Sequence, residues 1–188
     1  MMPVILNILN VILIIGAVLF AVFKTEEKRI VFRYFTVLSN LLCALTSLIA
    51  AVSHASGKIS GLASVLKYIG TSAVTVTLLT VVLFLGPAIG SIKELLKGRD
   101  LFLHLICPVI AILTYILWDR TDMRFSIVFS GTVPVLLYGV LYLYKVIYAP
   151  KDRRWDDFYM FNRNGKWPIS FAAMYAGSFI VSLILWII

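Results

Sequence analysis

One histidine in this sequence occupies an unusual position for a residue that can transfer protons. His104 lies in the apolar run LFLHLICPVIAIL, whereas His54 lies in the polar stretch VSHASGK. An imidazole in hydrocarbon is costly, so His104 should face the interior of a helix bundle and have a partner there. A neutral imidazole can take up a proton near neutral pH and later return it, as a general base does. The alternative for His104 is a hydrogen-bonding strut between helices, and His54 is expected to be a solvated loop residue.

The stretch FRYFTVLSN contains hydroxyl groups that such a base could activate. Thr36 and Asn40 are four residues apart and share one helix face, with Ser39 beside them. A threonine hydroxyl becomes a nucleophile when a nearby base takes its proton. The amide of Asn40 or the hydroxyl of Ser39 could donate to the oxyanion that develops. Packing is the alternative role, because hydroxyl residues are ordinary at helix contacts in membranes.

Two cysteines are rival nucleophiles. Cys107 is three residues from His104 on the same helix face, and Cys43 is seven residues beyond Thr36. A thiol beside an imidazole could be activated. A buried cysteine is more often an inert packing residue, so both rank below Thr36.

The elements that must position these residues are membrane-spanning helices. The 188 residues are 61% hydrophobic and 14% charged, and the mean hydropathy is +0.99. Long, nearly uncharged runs are typical of helices that cross a bilayer. The sequence predicts an all-α polytopic membrane protein in which residues 1–188 form one domain, a bundle of six transmembrane helices. The predicted spans are residues 4–23, 30–52, 68–89, 101–118, 125–148 and 169–188.

Counting along the predicted spans places Thr36 and His104 at similar depths. The second and fourth spans begin on the same side, near Ile30 and Leu101. At about 1.5 Å per residue, Thr36 lies roughly 9 Å and His104 roughly 4.5 Å along its helix. That difference is within the uncertainty of a span boundary, about 2–4 residues. The two side chains are therefore predicted to lie in the same layer. Pro108 should also disturb the helical bonding near His104.

The basic residues predict an orientation. The net charge is +8, and Lys and Arg are concentrated in the first, third and fifth connections. The second and fourth connections are expected to hold only Lys58, Lys67, Arg120 and Arg124. The positive-inside rule places the odd connections in the cytoplasm and both termini outside. Anionic headgroups are a sufficient partner for this charge, so no nucleic-acid partner is expected.

Further residues could line a pocket in the Thr36–His104 layer. Thr75 in the third span is one candidate, and Tyr138 and Tyr142 form a stripe four residues apart in the fifth. The connection at 149–168 is expected to be a cytoplasmic loop with a turn at Asn164-Gly165. It could instead cover the site. In that case Asn162 could line the pocket, and Asp156, Asp157, Asn162 or Asn164 could orient the imidazole.

The positions of the acidic residues and the scarcity of metal ligands narrow the range of functional classes. All nine acidic residues lie in connections or at span ends. An ion-coupled carrier usually needs a carboxylate within the membrane, so the sequence disfavours that class. No cluster of His, Asp or Glu has ligand spacing, and neither a metal nor another cofactor is expected.

The stretch RYFTVLSN in the second span, the threonine-rich third span and HLICP in the fourth resemble the androgen-induced protein family of intramembrane threonine hydrolases. The resemblance extends to bacterial integral-membrane relatives, so a multi-pass protein of a bacterial cell membrane is expected. It implies cleavage of fatty acid esters of hydroxy fatty acids, with Thr36 as the nucleophilic threonine and His104 as the histidine. The short chain departs from the animal members, so their substrate does not carry over directly.

Three functions remain open from the sequence. The first is an intramembrane hydrolase of lipid (fatty acid) esters that uses Thr36 as nucleophile and His104 as general base. The second is a small transporter or lipid-binding membrane protein without catalysis. The third is a structural subunit of an assembly. A membrane lipid or fatty acid ester is the expected partner in the first case.

Overall fold

The structure, a computed structural model, describes residues 1–188 and is entirely helical. Six helices are long and apolar enough to span a bilayer, which confirms the predicted fold class. They are α1 (Met2–Lys24), α2 (Phe35–Ala55), α3 (Gly61–Ile89), α4 (Arg99–Asp119), α5 (Phe125–Tyr148) and α6 (Trp167–Ile187).

Two helices begin more than four residues away from the predicted position, and both differences affect polar residues. Helix α2 begins at Phe35, because residues Lys28–Arg33 form a separate 3₁₀ turn. Thr36 therefore lies in the first turn of α2. Helix α3 begins at Gly61, where the Ser60 hydroxyl caps the helix by accepting from the Ala63 amide at 3.2 Å. Lys67, predicted to lie in a connection, is therefore inside α3.

Helix α3 is the centre of the bundle. It contacts α2, α4, α5 and α6, and much of its first five turns is buried. A helix that is buried all round belongs in a bundle interior. Gly70 allows its close approach to α2, because a Cβ atom there would collide with the Thr46 side chain and crowd the Cys43 backbone. Small residues commonly permit such contacts between membrane helices.

Wide π-helical turns precede the prolines within α3 and α4. One spans Val81–Leu85 before Pro87, and the other spans Phe102–Ile106 before Pro108. In the second, the Cys107 amide donates to the Phe102 carbonyl, five residues back. A proline lacks the amide hydrogen that would bond to the carbonyl four residues earlier. The predicted disturbance near His104 is therefore confirmed as a local widening of α4.

The chain termini and the even-numbered connections lie at one end of the bundle. Arg120, just after α4, donates to the Trp186 carbonyl near the C-terminus at 3.0 Å. The Trp186 indole donates to the Met123 carbonyl, also at 3.0 Å. We call this the termini end. The first, third and fifth connections lie at the opposite end, with Thr36 and His104, and we call it the Thr36 end.

Candidate active site

Thr36 and His104 meet across the interface of α2 and α4. The Thr36 Oγ1 atom lies 3.4 Å from His104 Nε2. This is long for a hydrogen bond, but pairs of this kind are often loose in the absence of substrate. The imidazole is buried and the threonine is half-buried. The predicted contact between these two residues is therefore confirmed, but only Thr36 of the pair lines the neighbouring cavity.

The third connection orients the imidazole. His104 Nδ1 lies 2.7 Å from the carbonyl oxygen of Leu95, in the short helix Ile92–Leu95. A carbonyl oxygen can only accept, so Nδ1 carries the hydrogen and donates it. In the neutral ring Nε2 then has a free lone pair, and this nitrogen faces the Thr36 hydroxyl. The pair thus has the polarity that proton transfer from Thr36 to His104 requires.

The structure assigns Asn40 and Ser39 to roles other than oxyanion binding. The Asn40 Nδ2 group donates to the Thr36 carbonyl at 2.7 Å and to the Leu103 carbonyl at 3.0 Å, which uses both of its hydrogens. The Ser39 hydroxyl donates to the Thr36 carbonyl at 3.1 Å and pairs with Thr77 at 2.8 Å. Neither side chain lines the cavity beside Thr36. Asn40 instead links the Thr36 carbonyl to the carbonyl of Leu103, the residue before His104.

The start of α2 adds a further polar group to the site. The Phe35 amide donates to the Tyr159 hydroxyl oxygen at 3.1 Å, so this oxygen lies beside the first turn of α2, which holds Thr36. The Tyr138 and Tyr159 rings pack with a centroid distance of 6.3 Å. Burial raises the pKa of Tyr159 to about 12. Tyr159 is therefore a neutral phenol at ordinary pH.

The fifth connection, residues 149–166, folds over the Thr36 end. The Asp157 carboxylate organises it by accepting from the amides of Phe161 and Asn162, each at 2.7 Å, and from the Tyr142 hydroxyl at 3.1 Å. The expected turn at Asn164-Gly165 has positive φ at both residues. Residues from this connection line the cavity beside Thr36, so it covers the site. None of its acidic or amide side chains orients His104, because the Leu95 carbonyl does so.

A cavity of about 660 Å³ begins at Thr36 and extends between α3, α5 and α6. Of its 26 lining residues, 18 are hydrophobic, and its walls along α6 extend over residues 169–181, about 18 Å of helix. Tyr138 and Tyr142 line it, as predicted. Thr75 does not and instead donates to the Thr71 carbonyl at 2.8 Å. Asn162 also lies outside the cavity.

A second polar cluster lies at the termini end and was not predicted. Lys67 and Asp119 are both 0% exposed, with 3.7 Å between Nζ and Oδ2. Lys67 also donates to Asn7 at 2.6 Å and to Ser47 at 2.7 Å. His54 is 12% exposed, and its Nε2 lies 2.7 Å from Asp119 Oδ1. The expectation that His54 is a solvated loop residue is wrong, because it ends α2 against this buried carboxylate.

The two cysteines lie apart from the Thr36–His104 pair. Both are free and buried. The Cys43 thiol contacts Asn10 at 3.6 Å and Ser47 at 3.9 Å, toward the Lys67 cluster. Cys107 makes no polar contact with His104 and packs in the apolar cluster that includes Ile14 and Val74. Packing is therefore the role that the geometry supports for both.

Leu95 and Tyr159 are the site residues that the sequence analysis missed. Leu95 acts through its backbone, which leaves no signal in the residue type. Tyr159 lies in the segment that was considered as a cover, and aromatic packing around its ring holds its hydroxyl at the Phe35 amide, next to Thr36. No three His, Cys, Asp or Glu side chains converge in a way that could hold a metal ion.

No protein-family model, curated protein or solved structure matches the chain.

Proposed function

We propose that this protein is an intramembrane hydrolase of fatty acid esters, with Thr36 as nucleophile and His104 as general base. The observation that supports this most strongly is the orientation of the imidazole. Its Nδ1 donates to Leu95, and its Nε2 lies 3.4 Å from the Thr36 hydroxyl. A nucleophile, a base and a group that orients the base are the three parts of an activated-nucleophile site.

The cavity supports a lipid substrate. It is apolar along most of its length, and Thr36 and Tyr159 lie at one end of it. Its volume of about 660 Å³ is in the usual range for ligand pockets, about 300–1,000 Å³. An acyl chain can lie among the apolar residues of α3, α5 and α6 while its ester carbonyl reaches Thr36. The substrate would enter sideways from the bilayer.

The reaction has two steps. Thr36 Oγ1 attacks the ester carbonyl carbon, and its proton moves to His104 Nε2. The tetrahedral intermediate collapses to an acyl-threonine as His104 gives the proton to the departing alkoxide, which leaves as an alcohol. Water then attacks the acyl-threonine, with His104 again as base, and this step releases a fatty acid and restores the Thr36 hydroxyl.

The cellular setting is part of the proposal. We place the Thr36 end in the cytoplasm of a bacterial cell and both termini outside, on the distribution of Lys and Arg. Lys67, which is buried, no longer counts toward that distribution; Lys58, Arg120 and Arg124 remain at the termini end. The resemblance of RYFTVLSN and HLICP to the androgen-induced protein family is consistent with the proposed reaction. Membership of that family is likewise part of the proposal.

Lipid binding or transport without catalysis is the second candidate. The observation that favours it is the cavity itself, which would hold an apolar ligand whether or not Thr36 reacts. Arg163 is the one charged residue in its lining, and it could hold an anionic headgroup. This alternative gives the Thr36–His104 pair only a structural role.

Turnover in proteoliposomes distinguishes the two candidates. The substrates are fatty acid esters of hydroxy fatty acids and simple long-chain esters, with release of free fatty acid as the readout. We expect Thr36→Ala and His104→Ala to lose about 10²-fold or more in rate, and Thr36→Ser to retain activity. Ser178→Ala, which removes another hydroxyl that lines the cavity, is the matched control and should have wild-type activity. Wild-type turnover by Thr36→Ala would contradict the proposal.

A further inference from the structure

The Tyr159 hydroxyl oxygen accepts a hydrogen bond from the backbone, and the hydroxyl donates no hydrogen bond within the protein. Its oxygen accepts from the Phe35 amide at 3.1 Å. This bond holds the oxygen at the residue before Thr36, and the Tyr138 and Tyr159 rings pack with a centroid distance of 6.3 Å. The Tyr138 hydroxyl uses its own hydrogen on the Arg33 carbonyl, at 2.7 Å. The Tyr159 phenol thus faces the cavity beside the nucleophile with a hydrogen to donate.

The position of this phenol is fixed by its surroundings. The Tyr159 amide donates to the Tyr142 hydroxyl at 3.0 Å. The ring packs against Tyr142 and Phe158, with centroid distances of 5.3 and 4.7 Å. Donors that are held in place before reaction stabilise developing charge without a reorganisation cost. A fixed phenol next to the attacking oxygen meets that requirement.

We propose that Tyr159 is a catalytic residue that donates its phenolic hydrogen to the oxyanion formed when Thr36 attacks the ester carbonyl. This inference rests on the proposed function. It replaces the expected donors Ser39 and Asn40, whose hydrogens are used on backbone carbonyls. No charge passes to Tyr159, since the phenol keeps its proton throughout.

The test is ester turnover by Tyr159→Phe, which keeps the ring and removes the hydroxyl. Loss of one oxyanion donor lowers kcat by about 10²–10³-fold, and KM should change little. Tyr68→Phe is the matched control, because it removes another buried tyrosine hydroxyl, which donates to the Ser182 carbonyl at 2.6 Å and lies outside the cavity. Its kcat should stay near the wild-type value. An unchanged kcat in Tyr159→Phe would overturn the proposal.

A second readout separates catalysis from structure. A long-chain trifluoromethyl ketone forms a tetrahedral adduct with the nucleophile, whereas the matching methyl ketone binds without forming one to a useful extent. Tyr159→Phe should weaken inhibition by the trifluoromethyl ketone at least tenfold and leave the methyl ketone unchanged. Equal weakening of both ketones would mean that Tyr159 only shapes the cavity, which would also overturn the proposal.

A further variant decides the question if Tyr159→Phe does not fold. Replacement of Tyr159 by 3,5-difluorotyrosine keeps the bond with Phe35 but makes the phenol more acidic. Its activity should fall as the pH rises through the range in which the fluorinated phenol ionises, whereas wild-type activity persists. A wild-type pH profile would overturn the proposal. Failure of the proposed function is distinguishable, because the wild-type protein would then show no Thr36-dependent turnover.

Discussion

The imidazole of His104 and the backbone carbonyl of Leu95 are joined by a hydrogen bond of 2.7 Å, and this bond decides which ring nitrogen faces Thr36. The carbonyl belongs to the third connection, whereas the histidine lies in the π-helical turn at the start of α4. The wider turn and the folded connection together hold the ring. The basic nitrogen of the site is thus set by a backbone group.

The hydrogen-bond partners of the two histidines predict which ring nitrogen of each neutral imidazole carries the hydrogen. The chain has only two, so ¹⁵N-histidine NMR in detergent micelles should resolve each ring, with His54→Gln for assignment. We expect neutral His104 to carry its hydrogen on Nδ1, because Leu95 can only accept, and neutral His54 to carry it on Nε2, which faces the Asp119 carboxylate. A spectrum in which His104 carries its hydrogen on Nε2 would contradict the proposed direction of proton transfer.

Asn40 is expected to position the reactive pair. Asn40→Leu removes the bonds to the Thr36 and Leu103 carbonyls. We expect a loss of stability of about 1–3 kcal/mol from the carbonyls left without partners. Small misplacement of reacting groups can cost about 10²-fold in rate, so kcat should fall substantially. Turnover in proteoliposomes and unfolding in detergent measure the two effects.

Asn7→Leu is the matched control for Asn40. It removes another buried asparagine, which donates to Asp119 at 2.9 Å and accepts from Lys67 at 2.6 Å, away from His104. This variant should be destabilised with kcat close to wild type. If both variants lose kcat in proportion to their stability, Asn40 has no special role at the site.

The sequence predicted the contact between Thr36 and His104 because depth along a membrane helix depends mainly on residue count. The six apolar runs placed Thr36 and His104 in one layer, and the contact between them is confirmed. Residue types also favoured Tyr138 and Tyr142 as pocket residues. The sequence did not predict the direction of individual hydrogen bonds. Asn40 and Ser39 could have faced the cavity or the backbone, and residue type does not distinguish these.

The Lys67 cluster was missed for a different reason. A charged residue normally marks the end of a span, so the predicted third span began after Lys67. Its burial is possible only because Asn7, Ser47 and Asp119 come from three other helices. Ser60 could have corrected the predicted start of the third span, since serine is a preferred residue before the first turn of a helix.

Lys67 and Asp119 should be strongly coupled in stability. Lys67→Met leaves a buried carboxylate without its ammonium partner, and removal of one partner of such a pair costs about 3–5 kcal/mol. The double variant Lys67→Met, Asp119→Asn removes both charges and should cost less than the sum of the single changes. Unfolding of the four proteins in detergent gives the coupling free energy. Additive effects would show that the two charges do not stabilise each other.

The cavity predicts selectivity for chain length that one side chain can change. Ala173 lines the cavity, and Ala173→Phe would fill part of it. We expect this variant to raise KM and lower turnover for long-chain esters while short-chain esters react as before. Ala172, the preceding residue, is also exposed but lies outside the cavity. Ala172→Phe is thus the control, and equal effects of the two changes would mean that acyl chains bind elsewhere.

The most direct test of Thr36 as the nucleophile is to locate the covalent adduct of a fluorophosphonate by mass spectrometry. The attacking oxygen forms a bond to phosphorus as fluoride leaves, so the probe marks the nucleophile. We expect a phosphonyl group on Thr36 and at least a tenfold slower reaction in His104→Ala. An adduct on Ser170, Ser178 or Tyr159, or undiminished labelling of Thr36→Ala, would contradict this expectation.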